Sequence, residues 1–398
     1  MRSPAKNGSL LGDLGRDPVM WSWALFVFFF PFYVFPSGLP QPADILVLLI
    51  SPRLVKSWDG RLSSGAKRAL LALMGFTIYV TLSNVLWTLW TAEFAFNPKD
   101  GFLLSPAFYI YDAILFFIAL LIYRQRGDAF INITVRAVLI SVIVQVPMTI
   151  FFGRATALRS SGMFNAPNQL GYFAVLSACI VLLGHRRAKL STMSLVAGML
   201  ACSYLALLSA SKAALASTAL LILFSVVTRL KTMIIATAVA AVLLLTVDPV
   251  GEAVDRTVRR ISNDDSFGFV EERGYDRIGK YPEYWIFGSG EGDYTRFAEN
   301  SMIKSHELHS SAGTIFFCYG VVGSLIFLIF LFQIVRVAQF RQILLVLPAA
   351  AYGLSHQGLR VTLFWVFLVL ALILGEEARN IGRRVVTRTR SVAPARIA

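Results

Sequence analysis

Apolar residues run along this chain in long stretches broken by short polar segments, most of them basic. A helix needs about 20 mainly apolar residues, each rising about 1.5 Å, to cross a hydrocarbon layer about 30 Å thick. Runs of that kind occur at Val19 to Pro36, Pro40 to Ile50 with its flanks, Ala66 to Thr91, Phe102 to Tyr123, Val135 to Phe152 and Ala166 to Gly184. They continue at Ser191 to Leu208, Ala213 to Thr228, Thr232 to Val247, Ser311 to Val335, Ile343 to Tyr352 with its flanks, and Val361 to Gly375. The pattern predicts an all-α integral membrane protein of about twelve transmembrane helices with one large loop outside the membrane. The second run is short and carries Pro42 and Asp44, so the loop charges must decide whether it crosses.

With the N-terminus inside, the cytoplasmic loops hold Arg53, Lys56, Arg61, Lys67 and Arg68, then Arg124 and Arg126, then Arg186, Arg187 and Lys189, then Arg229 and Lys231, then Arg336 and Arg341. The tail adds Arg379, Arg383, Arg384, Arg388, Arg390 and Arg396. Removing any one span would reverse every later loop, against the positive-inside bias, so both termini are expected in the cytoplasm. The chain divides into helices one to nine over 1–247, a large outer loop over 248–310, helices ten to twelve over 311–375 and a basic tail over 376–398.

Composition agrees: 56% of the 398 residues are hydrophobic, 15% are charged, and mean hydropathy is +0.65. The 37 Lys and Arg against 23 Asp and Glu leave a net charge of +14. In a hydrophilic chain that excess would suggest nucleic acid, but here it clusters between spans and marks membrane sides instead. The polar N-terminal segment leads into the first span without a small-residue cleavage site, so this helix is expected to be retained. Cys179, Cys202 and Cys318 lie in apolar runs without paired spacing and predict neither a disulfide nor a zinc framework.

The outer loop, from about Asp248 to His309, holds Tyr275, Tyr281, Tyr284, Trp285, Ile286 and Phe287, which predict order against the membrane surface. Glu252 to Ser262 places Val254, Val258 and Ile261 opposite Arg256, Arg259 and Arg260, the pattern of an interfacial amphipathic helix. Gly288, Gly290 and Gly292 lack the context of a dinucleotide fingerprint and predict a tight turn returning Trp285 and Phe287 to the membrane. Gly313, Gly320, Gly323 and Ser324 in the tenth run predict close helix approach.

Orientation rules do not account for the cations outside: Arg154, Arg159, Lys212, Arg273, Arg277, Lys280 and Arg360. Cations at this depth suit an anionic group at the lipid interface, such as a lipid-linked diphosphate, although some could snorkel or pair with Glu271, Glu272 and Asp276. Three of the four histidines, His306, His309 and His356, fall at outer ends of spans, and His185 lies inside. His309 opens a helix where its dipole and nearby cations favour the neutral imidazole of a general base. Two histidines one turn apart, with Asp264 and Asp265, also leave a metal-dependent transferase open.

These segments together resemble the bacterial O-antigen ligase and polymerase superfamily, the WaaL-like and Wzy-like membrane glycosyltransferases. The likeness is carried by His309 and Ser310 with Gly320 and Gly323 following, similar to that family's His-Asn/Ser…Gly-x-x-Gly signature. It extends to RSSGMFNAPNQLG (Arg159 to Gly171, including Asn168), LSASKA (Leu208 to Ala213, including Ser211) and YPEYWIFGSGEG (Tyr281 to Gly292). Lys212 stands where most relatives have Arg, keeping the charge but not the planar fork.

The resemblance implies a GT-C-like fold and a metal-independent, inverting transfer on the periplasmic face of the inner membrane, without cofactor or metal. The donor is an undecaprenyl diphosphate-linked glycan, and partners could include a chain-length regulator or export proteins. His309 is the expected base. Arg159, Lys212 and either Arg273 or Arg277 are expected on the diphosphate, with Asn168, Ser211, His306, Ser310, Gly320 and Gly323 in support. The expected enzyme is a polysaccharide polymerase, its acceptor another glycan; the alternative is a ligase acting on lipid A-core. A transporter or flippase suits the span count as well, but the midspan regions are nearly free of charge and the halves show no repeat.

Overall fold

A computed structural model describes residues 14–35, 40–95, 101–155, 159–228, 251, 254–255, 258–259, 269–300 and 307–391. Thr232 to Val247, His306, Asp264 and Asp265 lie outside these residues, as does most of Glu252 to Ser262.

The described chain is mostly helical, with almost no strand. In order it forms α1 (Pro18–Phe29), α2 (Pro42–Lys56), α3 (Ser64–Thr91), α4 (Leu104–Arg126) and α5 (Asp128–Phe152). A two-stranded antiparallel pair, β1 (Arg154–Ala155) and β2 (Ser160–Gly162), precedes α6 (Pro167–Gly184), α7 (Thr192–Ser209) and α8 (Lys212–Thr228). Short helices α9 (Phe269–Glu272) and α10 (Asp276–Lys280) lie in the loop before α11 (Ser311–Val335), α12 (Phe340–Ser355) and α13 (Thr362–Ser391). Among the described residues, α3, α4, α5, α6, α7 and α11 are long and apolar enough to cross a membrane. This is a multi-pass, all-α membrane protein.

The two residues that made the second run doubtful start its helix rather than break it. Pro42 occupies the first turn of α2, where its missing N–H is no loss, and the Asp44 carboxylate accepts from the Gln41 amide at 2.8 Å. At the core of the bundle, α6 packs on α5, α7, α8, α12 and α13, and every residue from Leu363 to Leu374 of α13 is buried.

The tenth run does more than allow close packing. Gly320 (φ 64°, ψ −167°) breaks α11 in a backbone region open essentially to glycine. The freed backbone groups are taken up by the 285–290 segment: Val321 donates to the Trp285 carbonyl at 2.7 Å and Val322 to Ile286 at 3.2 Å. Ser289 and Gly290 donate to the Phe317 and Cys318 carbonyls at 3.0 and 2.9 Å. A broken helix survives in lipid only when its N–H and C=O groups are satisfied, and this loop satisfies them. Gly288, at φ 83°, passes so close that a Cβ would lie 2.2 Å from the Cys318 carbonyl oxygen. Gly323 admits the Tyr79 ring of α3, and Tyr79 donates to the Phe287 carbonyl at 2.9 Å. Trp285, Ile286 and Phe287 consequently stand exposed on the bundle surface.

At one end of the bundle Arg126 meets Asp17, Arg124 meets Asp59 at 3.2 Å and Arg187 meets Glu377 at 2.5 Å. The candidate site lies at the other end.

Candidate functional site

Four elements bring polar side chains together at this end: the β2–α6 corner, the α7–α8 turn, the end of α12 and the start of α11. Pro167 begins α6 and leaves Asn168 in its first turn. Asn168 accepts from the Arg159 guanidinium through Oδ1, and Arg159 Nε donates to the Ser209 carbonyl at 3.1 Å. Arg159 is thus oriented by the carbonyl of Ser209 and the side-chain oxygen of Asn168.

Arg273 reaches the same region from the outer loop. Its Nη1 lies 3.4 Å from His356 Nδ1, and its carbonyl accepts from the His309 amide at 3.1 Å. Glu272 is its nearest carboxylate, at 3.6 Å. His309 is exposed, between buried Leu308 and Ser310. Ser310 caps α11 by accepting from Gly313 N at 3.0 Å, and its hydroxyl lies 2.6 Å from Tyr275, which also donates to the Leu354 carbonyl. The chain on either side of His309 is therefore fastened while its side chain faces outward.

Two residues absent from the expected set connect the others. His356, buried at the end of α12, places Nε2 3.4 Å from the Ser211 hydroxyl. Tyr352, one turn earlier, donates to the Asn168 carbonyl at 2.5 Å, lies within hydrogen-bonding reach of Ser211, and is subject to the charges of both Arg159 and Arg273. Its ring stacks on Tyr172 at 4.3 Å. Lys212, adjoining Ser211, is the exposed first residue of α8. The position of His356 at the outer end of a span was a signal in the sequence; Tyr352, inside an apolar run, offered none.

Arg277, Lys280 and Arg360 are committed elsewhere. Arg277 is fully buried over the Phe297 ring, 5.5 Å from its centroid, and burial holds its guanidinium below its ordinary range. Of the two loop arginines, Arg273 is therefore the one beside His309. Lys280 pairs with Asp276 at 2.8 Å. Arg360 bonds Glu291 at 2.5 Å and Glu307 at 2.8 Å. Burial opposes its charge, but Glu307 and Glu291 hold the guanidinium well above its ordinary value. The wholly buried Glu291 carboxylate also accepts from Tyr109 at 3.0 Å and Tyr319 at 2.7 Å. That network docks the Gly-x-Gly turn and needs no ligand.

Among the described residues, no group of three or more His, Cys, Asp or Glu is arranged to hold a metal ion. Cys179, Cys202 and Cys318 are buried free thiols. No protein-family model matches the chain, and no curated protein matches it. Fold and site define a class, a multi-pass α-helical membrane protein with a cationic, histidine-bearing end.

Proposed function

We propose that this chain is an inner-membrane polysaccharide polymerase of the O-antigen ligase and polymerase superfamily, using an undecaprenyl diphosphate-linked glycan as donor at its periplasmic end. The observation that carries the reading is the convergence of Arg159 and Arg273 on one polar cluster, with His309 joined to Arg273 through the backbone. Two guanidiniums on one cluster suit a diphosphate that sits at the lipid interface.

In this mechanism His309 takes the proton of the acceptor sugar hydroxyl as that oxygen attacks the anomeric carbon. The bond from that carbon to the diphosphate oxygen breaks, and its electron pair leaves with the lipid diphosphate. Arg159, Arg273 and Lys212 offset the developing charge, and attack opposite the leaving group inverts the anomeric centre. No metal or cofactor enters the proposed steps.

Twelve spans belong to the same reading. The starts of α8 and α11 both meet His356 at the site end, so a crossing between them, for which Thr232 to Val247 is the apolar run, makes the topology consistent with both termini in the cytoplasm.

The test is transfer from lipid-linked glycan by purified, reconstituted protein. His309→Ala should lower the rate about 10²- to 10⁴-fold with membrane levels unchanged, and an unchanged rate would remove His309 as the base. In a deletion strain, single-repeat product on the acceptor identifies a polymerase, whereas long polymer held on the lipid carrier identifies a ligase. A transporter reading draws support from Asp112, a carboxyl buried within α4. Asp112→Asn should leave glycan transfer intact; loss of substrate accumulation in sealed vesicles, without any transfer activity in the parent protein, would favour the transporter.

A further inference from the structure

The cluster between the two site arginines has a direction. A guanidinium donates and never accepts, so the His356 Nδ1 that faces Arg273 Nη1 at 3.4 Å must carry its lone pair. The imidazole is then neutral with its proton on Nε2, pointing at Ser211 Oγ 3.4 Å away. Tyr352 spends its one proton on the Asn168 carbonyl at 2.5 Å, so its oxygen receives from Ser211. Asn168 in turn accepts from Arg159 through Oδ1. Donors and acceptors follow in one order from Arg273 through His356, Ser211 and Tyr352 to Asn168, the residue that holds Arg159.

The backbone keeps His356 in register with the loop. Its carbonyl accepts from both the amide and the hydroxyl of Ser311, each at 3.1 Å, directly after the His309–Ser310 pair. The Tyr352 ring lies 4.8 Å from the imidazole. The end of α12, the start of α11 and the α7–α8 turn therefore meet at one residue, His356.

We propose that His356 is a positioning residue that, as the neutral Nε2-protonated tautomer, sets the guanidinium of Arg273 relative to Arg159 for the donor diphosphate. The consequence for transfer rests on the glycosyltransferase reading; the tautomer and its contact do not.

Two measurements test it. In reconstituted protein, His356→Ala and His356→Gln should raise the KM for lipid-linked donor about tenfold, with the KM for acceptor unchanged. His356→Asn, whose amide oxygen replaces Nδ1, should restore most of the donor KM. In ¹⁵N-histidine-labelled wild-type protein in nanodiscs, the signal lost in His356→Asn should report a neutral ring protonated at Nε2, and Arg273→Ala should shift it. A charged or Nδ1-protonated ring, or an unshifted signal in Arg273→Ala, overturns the proposal, as does an unchanged donor KM in His356→Ala. If wild-type protein transfers nothing from lipid-linked donor, the functional reading fails while the spectrum still decides the contact.

Discussion

Charge alone does not distinguish the outer cations; their partners do. Lys280 and Arg360 face carboxylates, Arg277 is enclosed over an aromatic ring, Arg159 meets Ser209 O and Asn168 Oδ1, and Arg273 lies between His356 Nδ1 and the Glu272 carboxylate. A carboxylate partner offsets the charge of Lys280 and Arg360 and leaves less of it to offer an anion. Arg159 spans two acceptors, Ser209 O and Asn168 Oδ1, as a planar fork. Lysine cannot reproduce that geometry, so Arg159→Lys should slow transfer about tenfold or more, read from initial rates at fixed donor. Equal rates would take Arg159 off the diphosphate. Arg277→Lys should leave the donor KM unaltered in the same assay.

Among the elements, α11 and the 285–290 segment depend on each other. Each supplies the backbone partners the other lacks, so the glycines that let them approach are structural requirements. Gly320→Ala meets both a forbidden backbone region and the Ile286 carbonyl, 2.3 Å from the added carbon, and should destabilise the protein by about 1–3 kcal/mol or more. Thermal unfolding in detergent checks this, and an unchanged Tm would contradict the broken-helix geometry. The Glu291–Arg360 pair behaves differently. Arg360→Met leaves Glu291 buried without its cation and should cost about 3–5 kcal/mol, whereas adding Glu291→Gln should recover part of that loss. Additive losses in the double mutant would show that the two side chains do not act as a pair.

At the scale of the whole molecule, the two ends of the bundle differ in chemistry. One carries the Asp17–Arg126 and Arg187–Glu377 pairs, the other the Arg360–Glu291 pair and the polar cluster around His356. In a chain whose three native cysteines are replaced, a cysteine at Ser191 should react with an impermeant reagent only from the cytoplasmic side, and one at Lys212 only from the periplasmic side; the same side for both would break the proposed topology. Helix positions were legible in the sequence because the demand for about 20 apolar residues is local, and Ser311–Val335 coincides with its predicted span. Even Pro42 and Asp44 act locally, as a helix start. Residue types that suit an anion at the interface were legible too, since charged side chains near lipid need a reason wherever they occur. The sequence by itself thus determined an all-α membrane chain and a short set of candidate cations and histidines. Tertiary structure alone decided which of them meet. Arg273 and His356, Tyr352 and Asn168, and Glu291 and Arg360 are 83, 184 and 69 residues apart, and no pattern within one helix encodes such pairings. They follow from how helices pack and from the requirement that every buried polar group find a partner.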